Sequence, residues 1–297
     1  MDAKQRRKLV ERYRVEDGKG FRLKKYDTDD KAGLDSSKGE IADLLRGGVE
    51  RLSAIQDKLY AQDRWAVLCI FQAMDAAGKD GAIKHVFSGL NPQGCHVTSF
   101  KAPSALELDH DFLWRHVINL PARGMIGIHN RSWYEEVLVA RVHPEILDRQ
   151  KLPPELRAKK RLFDDRLEDI AAFERYLARQ GVVILKFFLH LGEDEQRRRF
   201  LARIEEPEKN WKFSASDAAE RRHWGAYQEA YEEAIRATAA PHAPWHVIPA
   251  DSKPFARLAV SVALSEALEG LDLRYPEVGE AERAALEKAR QALVAEE

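Results

Sequence analysis

The sequence predicts an α/β fold, a parallel sheet covered by helices on both faces. Three observations carry this. The runs "WAVLCIF" (65–71), "GMIGIHN" (124–130) and "GVVILKFFLHL" (181–191) have strand length and are apolar without polar alternation. Each is followed by sequence with helical periodicity. Strands alternating with helices pair in parallel, and strands buried on both faces lose the alternating pattern.

In chain order, residues 1–36 mix charge with Gly and Asp ("EDGKG", "DTDDKAG") and read as an irregular arm lying over the domain. From Glu40, Ile41, Leu44, Leu45, Val49, Leu52, Ile55 and Leu59 recur at spacings of three and four. They define an amphipathic helix that runs through Gly47-Gly48. The first strand leads through a Gly-containing turn into the helix "AIKHVFSGL". "HVTSF" is β-prone, and "ALELDHDFLWRHVINL" reads as one helix. The second strand precedes the helix "RSWYEEVLVARV". "PPELRAKKRLFDDRLEDIAAFERYLARQ" reads as one charged helix begun at a proline pair. After the third strand, residues 192–240 are helical and highly charged, with breaks near Pro207 and Ser214. "PWHVIPA" is a last strand, and Pro254–Leu268 a closing helix. One domain over 37–275 follows the arm, with a helical insertion at 192–225 and a polar helical tail over 276–297.

Composition narrows the class. Apolar residues make up 44% and charged residues 33% of the 297, the balance of a globular soluble protein. No apolar run approaches the roughly 20 residues that span a bilayer. The charged N-terminus does not resemble a secretion signal. The formal net charge of −1 argues against a general nucleic-acid binder, though a small polyanion needs only local positive charge. Cys69 and Cys95 are the only cysteines and lack metal-site spacing, so the cytoplasm is the expected address. His242 and His246 are four apart, but Pro241 and Pro244 forbid the regular helix a zinc pair would need.

The chemistry concentrates at "FQAMDAAGKDG" (71–81), behind the first strand. Strand, Gly-containing turn and helix form the setting in which backbone N–H groups cradle phosphate. Gly78 lets phosphate approach closely and Lys79 supplies a cation. Relative to G-x-x-x-x-G-K-[S/T], Ala73 replaces the first Gly, and Asp80 the hydroxyl residue that would hold Mg²⁺. An acid inside such a loop repels phosphate unless a divalent ion intervenes, so Asp75 is either a metal ligand or turned to solvent. Asp80 suits the cap of the following helix. Past the second strand, Asn130, Arg131 and Ser132 stand where a ligand crevice lies in open α/β sheets. Arg131 can clamp phosphate oxygens; alternatively, Asn130 and Ser132 cap the next helix and Arg131 is a surface charge. In "EDEQRRRFLARIEEPEKNWKFSASD", Arg199 and Arg203 share one helical face, as lid cations would, although the acids in that stretch also fit a solvated helix.

Together, "MDAAGKDG", "LPARGMIGIHNRSWYEEVLVARVHPEIL", "RRRFLARIEEPEKNWKFSASD" and "APWHVIPADSK" resemble the polyphosphate kinase 2 family, in order, over about residues 40–270. "NRSWYEEVLV" most resembles the subgroup that phosphorylates both nucleoside mono- and diphosphates. The resemblance implies a P-loop kinase core like thymidylate kinase with a helical lid. It also implies reversible transfer of the terminal phosphoryl group of inorganic polyphosphate to ADP or AMP, guanine nucleotides being further candidates. Carried over by position, Asp75 binds Mg²⁺ (Mn²⁺ as substitute), Lys79 holds phosphates, and Arg131 is the arginine of the second strand end. Ala76, Ala77, Gly78, Lys79, Asp80, Gly81, Arg115, Asn130, Arg131, Ser132, Arg199, Arg203, Lys209 and Lys212 form the nucleotide- and polyphosphate-binding set. Asn130 stands where many relatives have Asp; it leaves a neutral ligand for phosphate or metal, with Glu135 the weaker substitute acid. A homodimer or homotetramer is expected. Two rivals share the loop: an ATP-dependent kinase of a nucleotide or metabolite, and a nucleotide-binding switch without transferase activity.

Overall fold

The structure, a computed structural model, describes residues 1–34, 38–214 and 219–296. Six strands form one sheet: β1 (Arg14–Val15), β2 (Ala66–Gln72), β3 (Cys95–Ser99), β4 (Ile126–Asn130), β5 (Val182–His190) and β6 (Trp245–Pro249), in the spatial order β1-β6-β5-β2-β4-β3. All pairings are parallel except β1 with β6. All seven residues of β2 are buried, as expected of a central parallel strand with helices on both faces. Its side chains alternate between two cores. Val67, Cys69 and Phe71 join Leu185 and Phe187 of β5 in one. Leu68 and Ile70 join Ile184, Phe188 and Trp245 in the other.

The first core is roofed by α1 (Ala3–Tyr13), α2 (Lys38–Gln62), α3 (Lys79–Phe87) and α11 (Lys253–Glu269). Gly48 lies where α2 crosses α11: a Cβ there would stand 2.8 Å from the Ser261 hydroxyl. Gly48, which weakens α2 as an isolated helix, therefore permits its packing. The second core is roofed by α6 (Glu135–Val142), α8 (Leu162–Arg179) and α10 (Trp224–Thr238).

Several expectations change. Residues 1–34 are not an irregular arm. The capped helix α1 leads into β1, a two-residue edge strand that pairs with Trp245 and His246 of β6. "ALELDHDFLWRHVINL" is not one helix but two short ones, α4 (Ala105–Leu108) and α5 (Trp114–Val117). The Asp111 carboxylate accepts from the Leu113 N–H (2.9 Å) and starts the second separately. The proline-initiated segment also divides, into α7 (Pro154–Arg157) and α8. The tail helix α12 (Glu280–Val294) is exposed throughout. Among the described residues no helix is long and apolar enough to cross a membrane.

Candidate active site

The chain leaves β2 toward β3 on one side of the sheet and leaves β4 toward β5 on the other. The carboxyl ends of the adjacent strands β2 and β4 therefore flank a topological switch point, where α/β sheets bind ligands. Register brings their last residues together: Phe71 pairs with Asn130, and the Arg131 N–H donates to the Phe71 carbonyl at 3.0 Å.

The loop after β2 turns through two left-handed residues, Ala76 (φ 64°) and Gly78 (φ 102°). Gly78 is the N-cap of α3. The first N–H groups of a helix have no intrahelical acceptor, so those of Lys79, Asp80 and Gly81 are the ones available to an anion. The Lys79 ammonium rests on the Ala73 carbonyl (2.7 Å). Burial lowers its pKa, and Asp75 opposes that shift most. Arg131 also takes a left-handed backbone (φ 68°), strained for a residue with a Cβ. Its guanidinium lies 3.6 Å from Asp75 on the first loop and 3.6 Å from Glu135 at the start of α6. Burial raises the pKa of Glu135, with Arg131 and Lys79 pulling the other way. The Gln72 amide, in the orientation that satisfies its neighbours, donates to Glu135 (2.9 Å) and accepts from the Ser132 hydroxyl (3.0 Å). Asn130 donates to Asp80 at 2.7 Å.

Asp75, Lys79, Asp80, Asn130, Arg131 and Glu135 thus converge on one crevice, as their sequence positions predict. Asp75, Asp80 and Glu135 against Lys79 and Arg131 give a local charge of −1 when all are ionised. That set cannot hold phosphate by charge alone. A divalent cation beside the carboxylates would bring it to +1. Among the described residues no cluster of three or more metal-ligating side chains occurs. Mg²⁺ does not need one, because it is commonly held by one or two carboxylates plus phosphate and water oxygens. Asp75 and Glu135, both facing Arg131, fit that requirement.

Other expected ligand residues lie away from this crevice. Ser132 is fully buried and accepts from the Tyr134 N–H (3.3 Å), so its side chain shapes the turn into α6 and does not face the crevice. Arg115 is buried over the Phe100 ring, donates to the Lys101 carbonyl (2.8 Å) and approaches Glu136 (3.9 Å). It lines a cavity of about 380 Å³ with Phe112, Glu136 and Arg166, and the loop is not part of that lining.

The largest correction is Arg199. It is 6% exposed, on the inner face of α9 (Glu193–Glu205), and bonds protein, not solvent. Its guanidinium donates to the carbonyls of Ala76 (2.9 Å), Ala77 (3.0 Å), Ala250 (2.6 Å) and Asp251 (3.0 Å), and to Glu195 (2.6 Å). Gln196 adds a bond to the Asp75 carbonyl at 3.0 Å. The start of the charged insertion therefore clamps the loop from behind. Shared helical phase with Arg203 hid this, because phase does not say which face is buried. Arg203 lies over the Phe200 ring, and Lys209 pairs with Glu206. The Lys212 side chain lies outside the described residues. Sequence reading also missed Gln72 and Gln196, which carry no motif; buried polar positions next to loop residues are their only signal.

A phosphate-binding loop, a helix N-terminus and an arginine meeting at the switch point of a parallel sheet define a P-loop kinase. The chain belongs to the polyphosphate kinase 2 family, whose description matches residues 35–275. It is 52% identical over 285 residues to the ADP-polyphosphate phosphotransferase of Rhodopseudomonas palustris, covering 96% of this chain and 98% of that one. It is 44% identical to the AMP/ADP-polyphosphate phosphotransferase of Meiothermus ruber, over 90% of this chain and 96% of that one. The crystal structure of polyphosphate kinase 2 from Arthrobacter aurescens superposes with a TM-score of 0.86 at 39% identity, covering 97% of both chains.

Proposed function

We propose that the protein transfers the terminal phosphoryl group of inorganic polyphosphate to a nucleotide, giving ATP from ADP and ADP from AMP, reversibly. The observation that carries this reading is the meeting of Asp75, Lys79 and Arg131 at the strand ends, in a chain whose full-length relatives are named for this reaction. A terminal oxygen of the acceptor phosphate attacks the end phosphorus of the chain. The bridging P–O bond breaks, and the chain leaves one phosphate shorter. The acceptor oxygen is already anionic near neutral pH, so no general base is required. Lys79 and Arg131 offset charge spreading over the transferring oxygens, and the loop amides hold them in line. Asp75, with Glu135 alongside, would hold Mg²⁺ (or Mn²⁺), which would supply positive charge against the phosphate oxygens. Asn130, tied to Asp80, leaves Asp75 and Glu135 as the acids at the metal.

We place the acceptor nucleoside in the cavity beside α6. Its volume of about 380 Å³ suits a small molecule. Glu136 lines it while the adjacent Glu135 faces the crevice, so base and phosphate would lie on consecutive residues of α6. Adenine and guanine nucleotides both fall within the proposal. So do closure of residues 206–214 over the phosphates as the lid, assembly as a dimer or tetramer, and a cytoplasmic address.

The test supplies polyphosphate and ADP without ATP and measures ATP. Formation of ATP is expected, with turnover about 10²-fold lower for Asp75→Asn and for Lys79→Ala, the scale of losing one preorganised charge. No ATP from the intact protein, or near-full turnover in both variants, overturns the reading.

A further inference from the structure

The Gln196 amide that holds the Asp75 carbonyl has two ends of nearly equal size and opposite chemistry. Its oxygen accepts and its NH2 donates. Gln196 is buried, so bulk water does not select between them. Arg221 does. It lies in the single helical turn Arg221–His223 that leads into α10, and its Nη1 donates to Gln196 Oε1 at 2.8 Å. With the oxygen taken by a donor, Nε2 is the end left for the Asp75 carbonyl, 3.0 Å away. A reversed amide would turn NH2 toward the guanidinium and oxygen toward the carbonyl, and would lose both bonds.

Arg221 is itself fixed from two sides. Its Nη1 also donates to the Glu193 carbonyl (3.0 Å) in the first turn of α9, and its Nη2 lies 3.8 Å from the Glu193 carboxylate. The preceding residue, Glu220, accepts from the Tyr227 hydroxyl (3.0 Å) and lies 2.9 Å from His143 Nε2, just past α6. A turn along α10, Gln228 donates to the sulfur of Met74 (3.3 Å), the residue before Asp75. The two flanks of the insertion, 193–199 and 220–228, therefore meet on residues 74–77, the stretch that carries the loop acid.

We propose that Arg221 is a positioning residue for the transfer: through Gln196 it fixes the main chain at Asp75, and with it the aim of the Asp75 carboxylate into the crevice. This rests on the reading given under Proposed function. Arg221 acts on no phosphate directly, because Gln196 and Glu193 occupy its guanidinium. Its effect falls on turnover and on the Mg²⁺ requirement, and leaves nucleotide affinity unchanged.

The experiment compares wild type with Arg221→Ala, Arg221→Lys, Gln196→Leu and the double variant Arg221→Ala/Gln196→Leu. It measures kcat, KM for ADP and half-saturating Mg²⁺, and amide hydrogen exchange of the metal-free proteins. Arg221→Ala and Gln196→Leu are each expected to lower kcat and raise half-saturating Mg²⁺ about tenfold, the scale of losing a group that orients a metal ligand. KM for ADP should stay within about twofold. Exchange in residues 71–81 should speed about tenfold while that of β5 holds. The double variant should fall within about twofold of Gln196→Leu, because Arg221 acts through Gln196. Arg221→Lys keeps a donor and should stay within about threefold of wild type. Losses that multiply in the double variant overturn the assignment. So does unchanged loop exchange in both single variants, or exchange that rises equally across the sheet. Failure of the wild type to use polyphosphate overturns the parent reading instead, and the exchange comparison still decides the Arg221 assignment.

Discussion

Replacing Arg199 by Ala separates a structural clamp from a mobile cation. The side chain is buried, and its five hydrogen bonds include four to main-chain carbonyls. Glu195 keeps Arg198 as a partner, so the loss falls on the carbonyls. A buried polar group left unpaired costs about 1–3 kcal/mol. Water entering the vacated space would recover part, which leaves about 3–5 kcal/mol. With an unfolding entropy of about 2.1 cal/mol/K per residue, the 297 residues give about 0.6 kcal/mol per degree. The expected fall in Tm is therefore about 5–8 °C. Arg199→Lys keeps the charge but reaches fewer carbonyls, so about half that fall is expected. Turnover should also fall, by about 10²-fold in the alanine variant, because Ala76 and Ala77 lose their backing and the loop amides their aim. Calorimetry and single-turnover kinetics on the same preparations check both. If Tm stays within about 1 °C while turnover collapses, Arg199 works as a cation on phosphate and the clamp is wrong.

Other outcomes follow from buried charge. Burial holds His116 down to about 2, His246 to about 3, and His129 and His190 to about 4. These groups fold neutral, so their contribution is full above the unfolded pKa of about 6.5 and is lost as pH falls below it. Each steepens the loss by up to about 1.4 kcal/mol per pH unit, and a denaturation midpoint flat between pH 6.5 and 4.5 would contradict their burial. Lys186 is fully buried in β5, donating to Glu174 (2.6 Å), the Tyr134 hydroxyl (3.2 Å) and the Thr238 carbonyl (2.8 Å). Lys186→Met alone should cost about 3–5 kcal/mol, by stranding Glu174, and Lys186→Met with Glu174→Leu should recover most of it. Equal losses in the single and double variants, read by urea unfolding, would show that the pair is not coupled.

The sequence by itself determined the layers and the chemistry of the crevice. Its three unbroken apolar runs required parallel strands, because only burial on both faces removes polar alternation. A Gly-Lys turn between strand and helix supplied amides and a cation, and chain order placed Asn130-Arg131 at the second strand end. These features are local or follow from topology, so they were legible without coordinates. Tertiary structure decided what each remaining charge faces. A heptad or strand pattern cannot report that Arg199 points at carbonyls from two other loops, that Glu174 neutralises Lys186, or that Ser132 is sealed under Gln72. Nor could it show that Arg14 and Val15 join the sheet, since two-residue β1 acquires its strand character only from β6. Partners far apart in sequence are chosen by packing, and packing is a property of the whole chain.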